Sequence, residues 1–238
     1  MPSRADKVNS YEIGILLRGE LPSLTAWTAQ WNTQRLVFHV GVILAGAGLY
    51  GAAMGWWRDP QQALYVAIKF PLIILLTVIG NALLNGMLAP LLGLNIPFRQ
   101  SFCAILMSFT MVSAILGAFS PIIAFMVWNM PGIASKPFAG SAYSFIMLAH
   151  VAVIALAGVT GNIRLSQLLA RLGGNQAIAR RVMFAWLAGN LFLGSQLSWI
   201  LRPFIGSPGL PVEFLRTTAF SGNFYEAVFR SLMNIIND

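Results

Sequence analysis

The two histidines are the residues of this sequence best suited to hold a metal-bearing cofactor, because an imidazole nitrogen can be an axial ligand of a haem or a related pigment. His39 and His150 both lie in long apolar runs that predict helices. At 1.5 Å per residue, His39 lies about 6 Å and His150 about 17 Å from the same end of the predicted bundle. This difference disfavours a bis-histidine haem. Ligation of a haem or pigment by one histidine stays open, beside hydrogen bonding to a neighbouring helix.

Polar side chains inside the predicted helices form a second group of candidates. Asn81 and Asn85 are four residues apart on the second helix and therefore share a face. On the fifth predicted helix Asn190, Ser198 and Arg202 follow one slowly winding stripe. Because unpaired polar groups are costly in hydrocarbon, these positions predict either hydrogen bonds between helices or a polar pathway for a small solute.

A run of small residues marks the first predicted helix. Ala47, Gly51 and Gly55 repeat every four residues and so lie along one face. Small side chains let two helix backbones approach closely. This face predicts helix packing, within the chain or between subunits, and not catalysis.

The sequence lacks the residue patterns of the common membrane enzymes. It contains no H-E-x-x-H, G-x-S-x-G or Walker motif, and no Asp or Glu lies inside a predicted span. Its single cysteine, Cys103, lies in an apolar run. These observations favour a non-enzymatic protein, with no catalytic residue, no metal and no resident cofactor predicted beyond the haem or pigment alternative.

The composition places these residues in a membrane. The chain is 57% hydrophobic and 9% charged, whereas soluble domains carry about 25% charged residues. A spanning helix needs about 20 apolar residues. Five runs qualify: Leu36–Trp57, Phe70–Leu92, Gln100–Trp128, Ser141–Gly161 and Val182–Ile205. We predict an all-α, polytopic bundle in residues 36–205, a cytoplasmic, interfacial segment in residues 1–35 and an extracytoplasmic tail in residues 206–238. In that tail Asn223 and Glu226 predict the start of a short amphipathic helix.

The distribution of basic residues predicts the orientation. Five spans place the N-terminus and a predicted loop, Asn162–Arg181, on one side. That side carries nine basic residues, namely Arg4, Lys7, Arg18, Arg35, Arg99, Arg164, Arg171, Arg180 and Arg181, and the other side carries six, namely Arg58, Lys69, Lys136, Arg202, Arg216 and Arg230. The positive-inside rule therefore predicts a cytoplasmic N-terminus, in a bacterial cytoplasmic membrane. The net charge of +8 predicts contact with anionic lipid headgroups and not with nucleic acid.

The layout resembles that of the Yip1-like superfamily of small five-helix membrane proteins. The match rests on the polar N-terminal segment, the five spans and the short turn Leu92–Gln100, which is similar to a Gly-x-x-x-x-Phe-Arg-Gln pattern that such proteins carry there. The acidic, aromatic Gly-Pro motif that precedes the first span in that family is missing. The resemblance implies a helix-packing adaptor and transfers no functional residue.

Three functions are compatible with this sequence. The first is a non-enzymatic membrane subunit or scaffold that contacts other membrane subunits or forms a homo-oligomer. The second is a small-solute transporter or channel that uses the polar faces of the second and fifth helices. The third is a pigment- or haem-binding subunit that uses His39 or His150.

Overall fold

A computed structural model shows a bundle of five long α-helices. It describes residues 33–132, 139–173, 175–206 and 210–226, with Phe229 and Met233. The helices are α1 (Thr33–Trp56), α2 (Pro60–Leu91), α3 (Phe98–Trp128), α4 (Ala139–Gly173) and α5 (Gln176–Ile200). No strand occurs within these ranges, so the all-α prediction is confirmed for them. The interfacial segment predicted before the first span lies almost wholly outside the described residues.

The start of α2 shows a signal that hydropathy alone misses. Asp59 has an extended backbone and its side chain accepts the N–H of Gln61 at 2.7 Å, while Pro60 occupies the first helical position. A capping carboxylate followed by proline is a strong helix start. The second helix therefore begins ten residues before the predicted Phe70, and Lys69 lies inside it and not in a loop.

The predicted loop Asn162–Arg181 is wrong. α4 continues to Gly173, and α5 begins at Gln176, where the Asn175 side chain accepts the N–H of Ala177. A helix does not need apolar residues to continue beyond the hydrocarbon, because its hydrogen bonds are internal. The end predicted for the fifth helix is also wrong. α5 stops at Ile200, so Arg202 lies in the segment that follows it.

α1 packs against both α2 and α3. α3 also contacts α2 and α4, while α5 packs against α2 and α4. Two apolar clusters follow one another along α1. The first includes Ile43 and Trp186, and the second includes Tyr50, Trp57 and Ile146.

Within the residues that the structure describes, four helices are long and apolar enough to cross a membrane, namely α1, α2, α3 and the Ser141–Arg171 part of α4. They indicate an integral membrane protein. α5 has 25 residues, which is sufficient length, but its sequence is less apolar than that of the other four.

The predicted cap of the C-terminal helix is present. The Asn223 side chain accepts the N–H of Glu226 at 2.9 Å. Tyr225 attaches this turn to α5: its ring stacks on Phe192 with centroids 5.8 Å apart, and its hydroxyl lies 2.9 Å from Ser195 Oγ.

Candidate functional site

A half-open cleft of about 580 Å³ separates the first part of α4 from the end of α5. One wall is a single face of α4 that includes Tyr143, Met147, His150 and Ile154. The opposite wall is formed by Ser198 and the segment after α5, and Met54 of α1 and Phe70 of α2 complete the lining. The α4 face extends over eleven residues, which corresponds to about 16 Å along the helix.

His150 is the most buried polar side chain of the cleft, at 2% exposure. Its Nδ1 is hydrogen-bonded to the hydroxyl of Tyr50 at 2.9 Å, and the two rings meet edge to face. Its Nε2 is buried and finds no hydrogen-bond partner in the described part of the chain. A buried nitrogen without a partner costs free energy, so a polar ligand atom in the cleft would stabilise it.

Two arginines line the outer part of the cleft. Arg202 donates to the carbonyls of Trp199 and Thr218, and its guanidinium lies 3.7 Å above the Trp199 ring. Partial burial and, to a smaller extent, the nearby charge of Arg216 lower the pKa of Arg202. Two guanidinium groups therefore face the same cavity, and no described residue that lines it is acidic.

A buried lysine lies behind this wall. Lys69 is fully buried, and its ammonium donates to the carbonyl of Pro203 at 3.1 Å. The ammonium also lies 4.9 Å from the centre of the Phe214 ring and 5.9 Å from that of Tyr65. Gln62 donates to the same Pro203 carbonyl. α2 thus holds the segment that follows α5 in place.

The predicted asparagines do come together, at the interface of α2 and α5. Asn81 donates to the side chain of Asn190 on α5 and accepts a hydrogen bond from Asn85 at 2.7 Å. Asn85 Oδ1 and Trp186 Nε1 are buried there without partners among the described residues. The asparagines therefore form interhelical hydrogen bonds, but they do not satisfy every polar atom of this interface.

The stripe predicted on the fifth helix is divided between two environments. Asn190 belongs to the asparagine cluster, whereas Ser198 and Arg202 line the cleft. Gly194 lies between them and faces Thr77 of α2, whose buried hydroxyl also lacks a partner in the described chain. Polar groups therefore continue from the cleft along the α2–α5 interface.

The two histidines are far apart. His39 Nδ1 lies 2.9 Å from Thr110 Oγ1 on α3, while His150 bonds to Tyr50. Tyr50 follows His39 by eleven residues on α1, a separation of about 16 Å. The structure therefore gives the two rings different levels, as the sequence predicted, and each has a hydrogen-bonding role between helices.

The small-residue face of α1 is used inside the chain. A Cβ on Gly51 would lie 2.5 Å from the Val66 carbonyl oxygen, and one on Gly55 would lie 2.6 Å from that of Gln62. Ala47 is fully buried. These residues let α1 and α2 touch through their backbones, so the face offers no surface to another subunit.

Sequence reasoning missed Lys69, Tyr50 and Arg216 as parts of this site. Lys69 meets a carbonyl 134 residues further along the chain, and Tyr50 meets a histidine 100 residues away. The sequence signal that could have identified one of them is Asp59-Pro60, because a helix that begins there contains Lys69.

The chain matches no family model, no curated protein and no solved structure.

Proposed function

We propose that this chain is a non-enzymatic, five-span membrane protein that binds a small solute in the cleft between α4 and α5 and moves it along the α2–α5 interface. The observation that carries the proposal is a set of buried polar atoms at the α2–α5 interface, on Thr77, Asn85 and Trp186, that lack partners among the described residues. Polar groups inside a membrane protein are costly and usually mark a pathway.

The five-span topology is supported by the position of α5. Asn81 lies near the middle of α2, and its contact with Asn190 brings α5 to the same depth as a helix apolar enough to span. Only residues 174 and 175 separate α5 from α4. We retain the cytoplasmic N-terminus and the bacterial cytoplasmic membrane in the proposal, on the distribution of basic residues along the sequence. The Yip1-like layout agrees with five spans.

The α2–α5 interface in this structure corresponds to a closed state. Thr77, Asn81 and Asn85 follow one face of α2 at intervals of four residues, and all three are buried. Opposite them lie Gly194 and Asn190. Passage of a solute therefore requires the amide pairs to exchange their mutual hydrogen bonds for bonds to the solute.

Cysteine accessibility tests the pathway without knowledge of the solute. In a Cys103→Ala background, Ser198→Cys and Thr77→Cys should react with a charged, membrane-impermeant methanethiosulfonate reagent in native-membrane vesicles. Ile79→Cys is the matched control, because Ile79 lies on the same helix and is 52% exposed on the outer surface of the bundle. Equal protection of Thr77→Cys and Ile79→Cys would contradict a pathway beyond the cleft.

A membrane subunit or scaffold is the second candidate function. The observation in its favour is the low burial of α4. In its most apolar stretch of 18 residues, 22% of the residues are buried, against 39% to 50% in the corresponding stretches of the other three candidate spans. A partner helix would cover this face in a complex. Cysteine cross-linking through Leu148→Cys, with Leu64→Cys on α2 as control, tests the idea, and a single monomeric species in mild detergent would count against it.

A pigment- or haem-binding subunit is retained only for His150. Its free Nε2 and the adjoining cleft are the features that a single axial ligand needs. An absorption spectrum of the protein purified from native membranes decides this point, since a colourless preparation would remove the hypothesis.

A further inference from the structure

Three cationic side chains surround the segment that follows α5. Arg202 and Arg216 line the cleft, and Lys69 bonds to Pro203 on the other side of the same segment. Arg216 lies close enough for its charge to act on both of the other two. No carboxylate of the described residues pairs with Lys69 or lines the cleft. Like charges repel strongly where the dielectric constant is low. A counter-anion would therefore stabilise the cluster.

The remainder of the cleft is apolar and elongated. Met147, Val151 and Ile154 of α4 face Phe70 and Phe204 across it. This part continues for about 10 Å along α4, which is about a third of the hydrocarbon thickness of a bilayer. A free inorganic anion would fill the basic mouth of the cleft but would leave this groove empty. The shape therefore favours a ligand with an anionic end and a long apolar end.

The cluster lies deeper in the membrane than Trp56, the aromatic residue at the adjacent membrane boundary. Gly51 faces Val66, and Lys69 follows Val66 by three residues. Trp56 lies five residues from Gly51 in the opposite direction, so Lys69 is about 12 Å below Trp56 along the helix axis. Tryptophans of this kind lie at headgroup level. An anionic group that reaches the cluster is therefore drawn in from the adjacent leaflet.

We propose that the cleft binds one anionic phospholipid, with its phosphate between Arg202 and Arg216 and one acyl chain along the α4 groove. This inference names the class of ligand that the cleft binds. It rests on the part of the proposed function in which the cleft binds a ligand, and it does not depend on transport. Arginine binds phosphate through two parallel N–H donors, which explains why both cations of the mouth are guanidinium groups.

His150 completes the site below the phosphate. Its Nε2 is buried, lacks a partner in the described chain and lies in the lining of the groove. Because Nδ1 is engaged by Tyr50, the ring is fixed in orientation. The imidazole would hydrogen-bond to an ester oxygen of the lipid, a polar atom that lies between the phosphate and the acyl chain.

Native mass spectrometry of the full chain in mild detergent tests the proposal. The probes are phosphatidylglycerol and phosphatidylcholine with identical acyl chains. We expect one phosphatidylglycerol per protein, bound about tenfold more tightly than phosphatidylcholine. Both lipids carry the phosphate, but the choline of phosphatidylcholine adds a positive charge beside Arg202 and Arg216, and a like-charge penalty of about 1.4 kcal/mol corresponds to that factor. Arg216→Gln should remove most of this preference. Arg171→Gln, which makes the same charge change at an exposed position near the far end of α4, should not.

A second pair of variants tests the groove independently of charge. Val151→Trp fills it, whereas Val159→Trp places the same residue at an equally exposed position of α4 outside the cleft. We expect only the first to weaken lipid binding. An unchanged melting temperature shows that a variant is folded, and Arg216→Lys replaces Arg216→Gln if that variant is not.

Three results would overturn the inference. The first is equal binding of the two lipids, the second is full displacement of the lipid by millimolar inorganic phosphate, and the third is an equal loss in Arg171→Gln and Arg216→Gln. Equal binding that Val151→Trp still abolishes would reject the anionic ligand but leave a ligand-binding cleft. Failure of cysteine labelling at Thr77 would reject transport and leave the lipid site untouched.

Discussion

Gly51→Ala should destabilise the bundle, because α1 and α2 touch at this position through their backbones. The added Cβ would lie 2.5 Å from the Val66 carbonyl oxygen and 3.0 Å from its carbon. Both atoms belong to the backbone of a long helix, so no side-chain rotation can relieve the contact. An ordinary contact distance of about 3.4 Å requires the two helices to separate by nearly 1 Å, and overpacking of this kind costs about 1 to 3 kcal/mol.

The intrinsic gain in helix propensity acts in the opposite direction. Replacing glycine by alanine inside a helix stabilises it by up to about 1 kcal/mol. Gly41→Ala on the same helix isolates this gain, because a Cβ there would meet no atom within 4 Å. We therefore expect Gly41→Ala to match or exceed the wild type in stability, and Gly51→Ala to fall below it.

Denaturation in mixed detergent micelles, followed by tryptophan fluorescence, measures both variants. Gly51→Ala should lower the free energy of unfolding by about 1 to 3 kcal/mol relative to Gly41→Ala, because the gain in helix propensity is common to both variants. Equal stability of the two variants would refute the close backbone contact. A change in oligomeric state without a change in stability would instead show that the small-residue face lies between subunits.

Two further substitutions test the polar interior. Asn81→Ala removes the residue that joins Asn85 to Asn190, and at about 0.6 kcal/mol per bond it should cost about 1 kcal/mol in the same titration; an unchanged stability would show that the cluster is not formed. Lys69→Met should leave the melting temperature equal or higher, because it replaces a buried charge without a carboxylate partner by an apolar side chain of similar length, and a large decrease would contradict this.

The central helices could be predicted because their signals are local. Apolar runs bounded by charges gave the ends of the first and third helices to within three residues, and Asn223 was recognisable as a cap. Hydropathy marks where a helix is in hydrocarbon and not where it ends, which is why the sequence Asn162–Arg181 was mistaken for a loop. Asp59 and Pro60 mark the start of α2, but a helix prediction based on apolar residues does not detect a polar cap.

The site could be predicted only where its residues share one helix. Asn81 and Asn85 are four positions apart, and their common face follows from helix geometry. The pairing of His150 with Tyr50 and the approach of Lys69 to Pro203 depend on how helices pack, which no local pattern contains. The basic mouth of the cleft was hidden for a further reason, since Arg202 was assigned to a helix end and Arg216 to a tail.

The contact of Lys69 with Pro203 also has a consequence for biosynthesis. Lys69 enters the translocation machinery 134 residues before its acceptor carbonyl. At about 5 to 20 residues per second, the ribosome needs about 7 to 27 s to produce that acceptor. During this interval the ammonium lacks that acceptor and has only the Tyr65 ring of its own helix beside it, so it extends towards the headgroup level. α2 therefore adopts its final depth only after the end of α5 has been synthesised, and a chain truncated before Pro203 should leave Lys69 accessible to amine reagents from the aqueous phase.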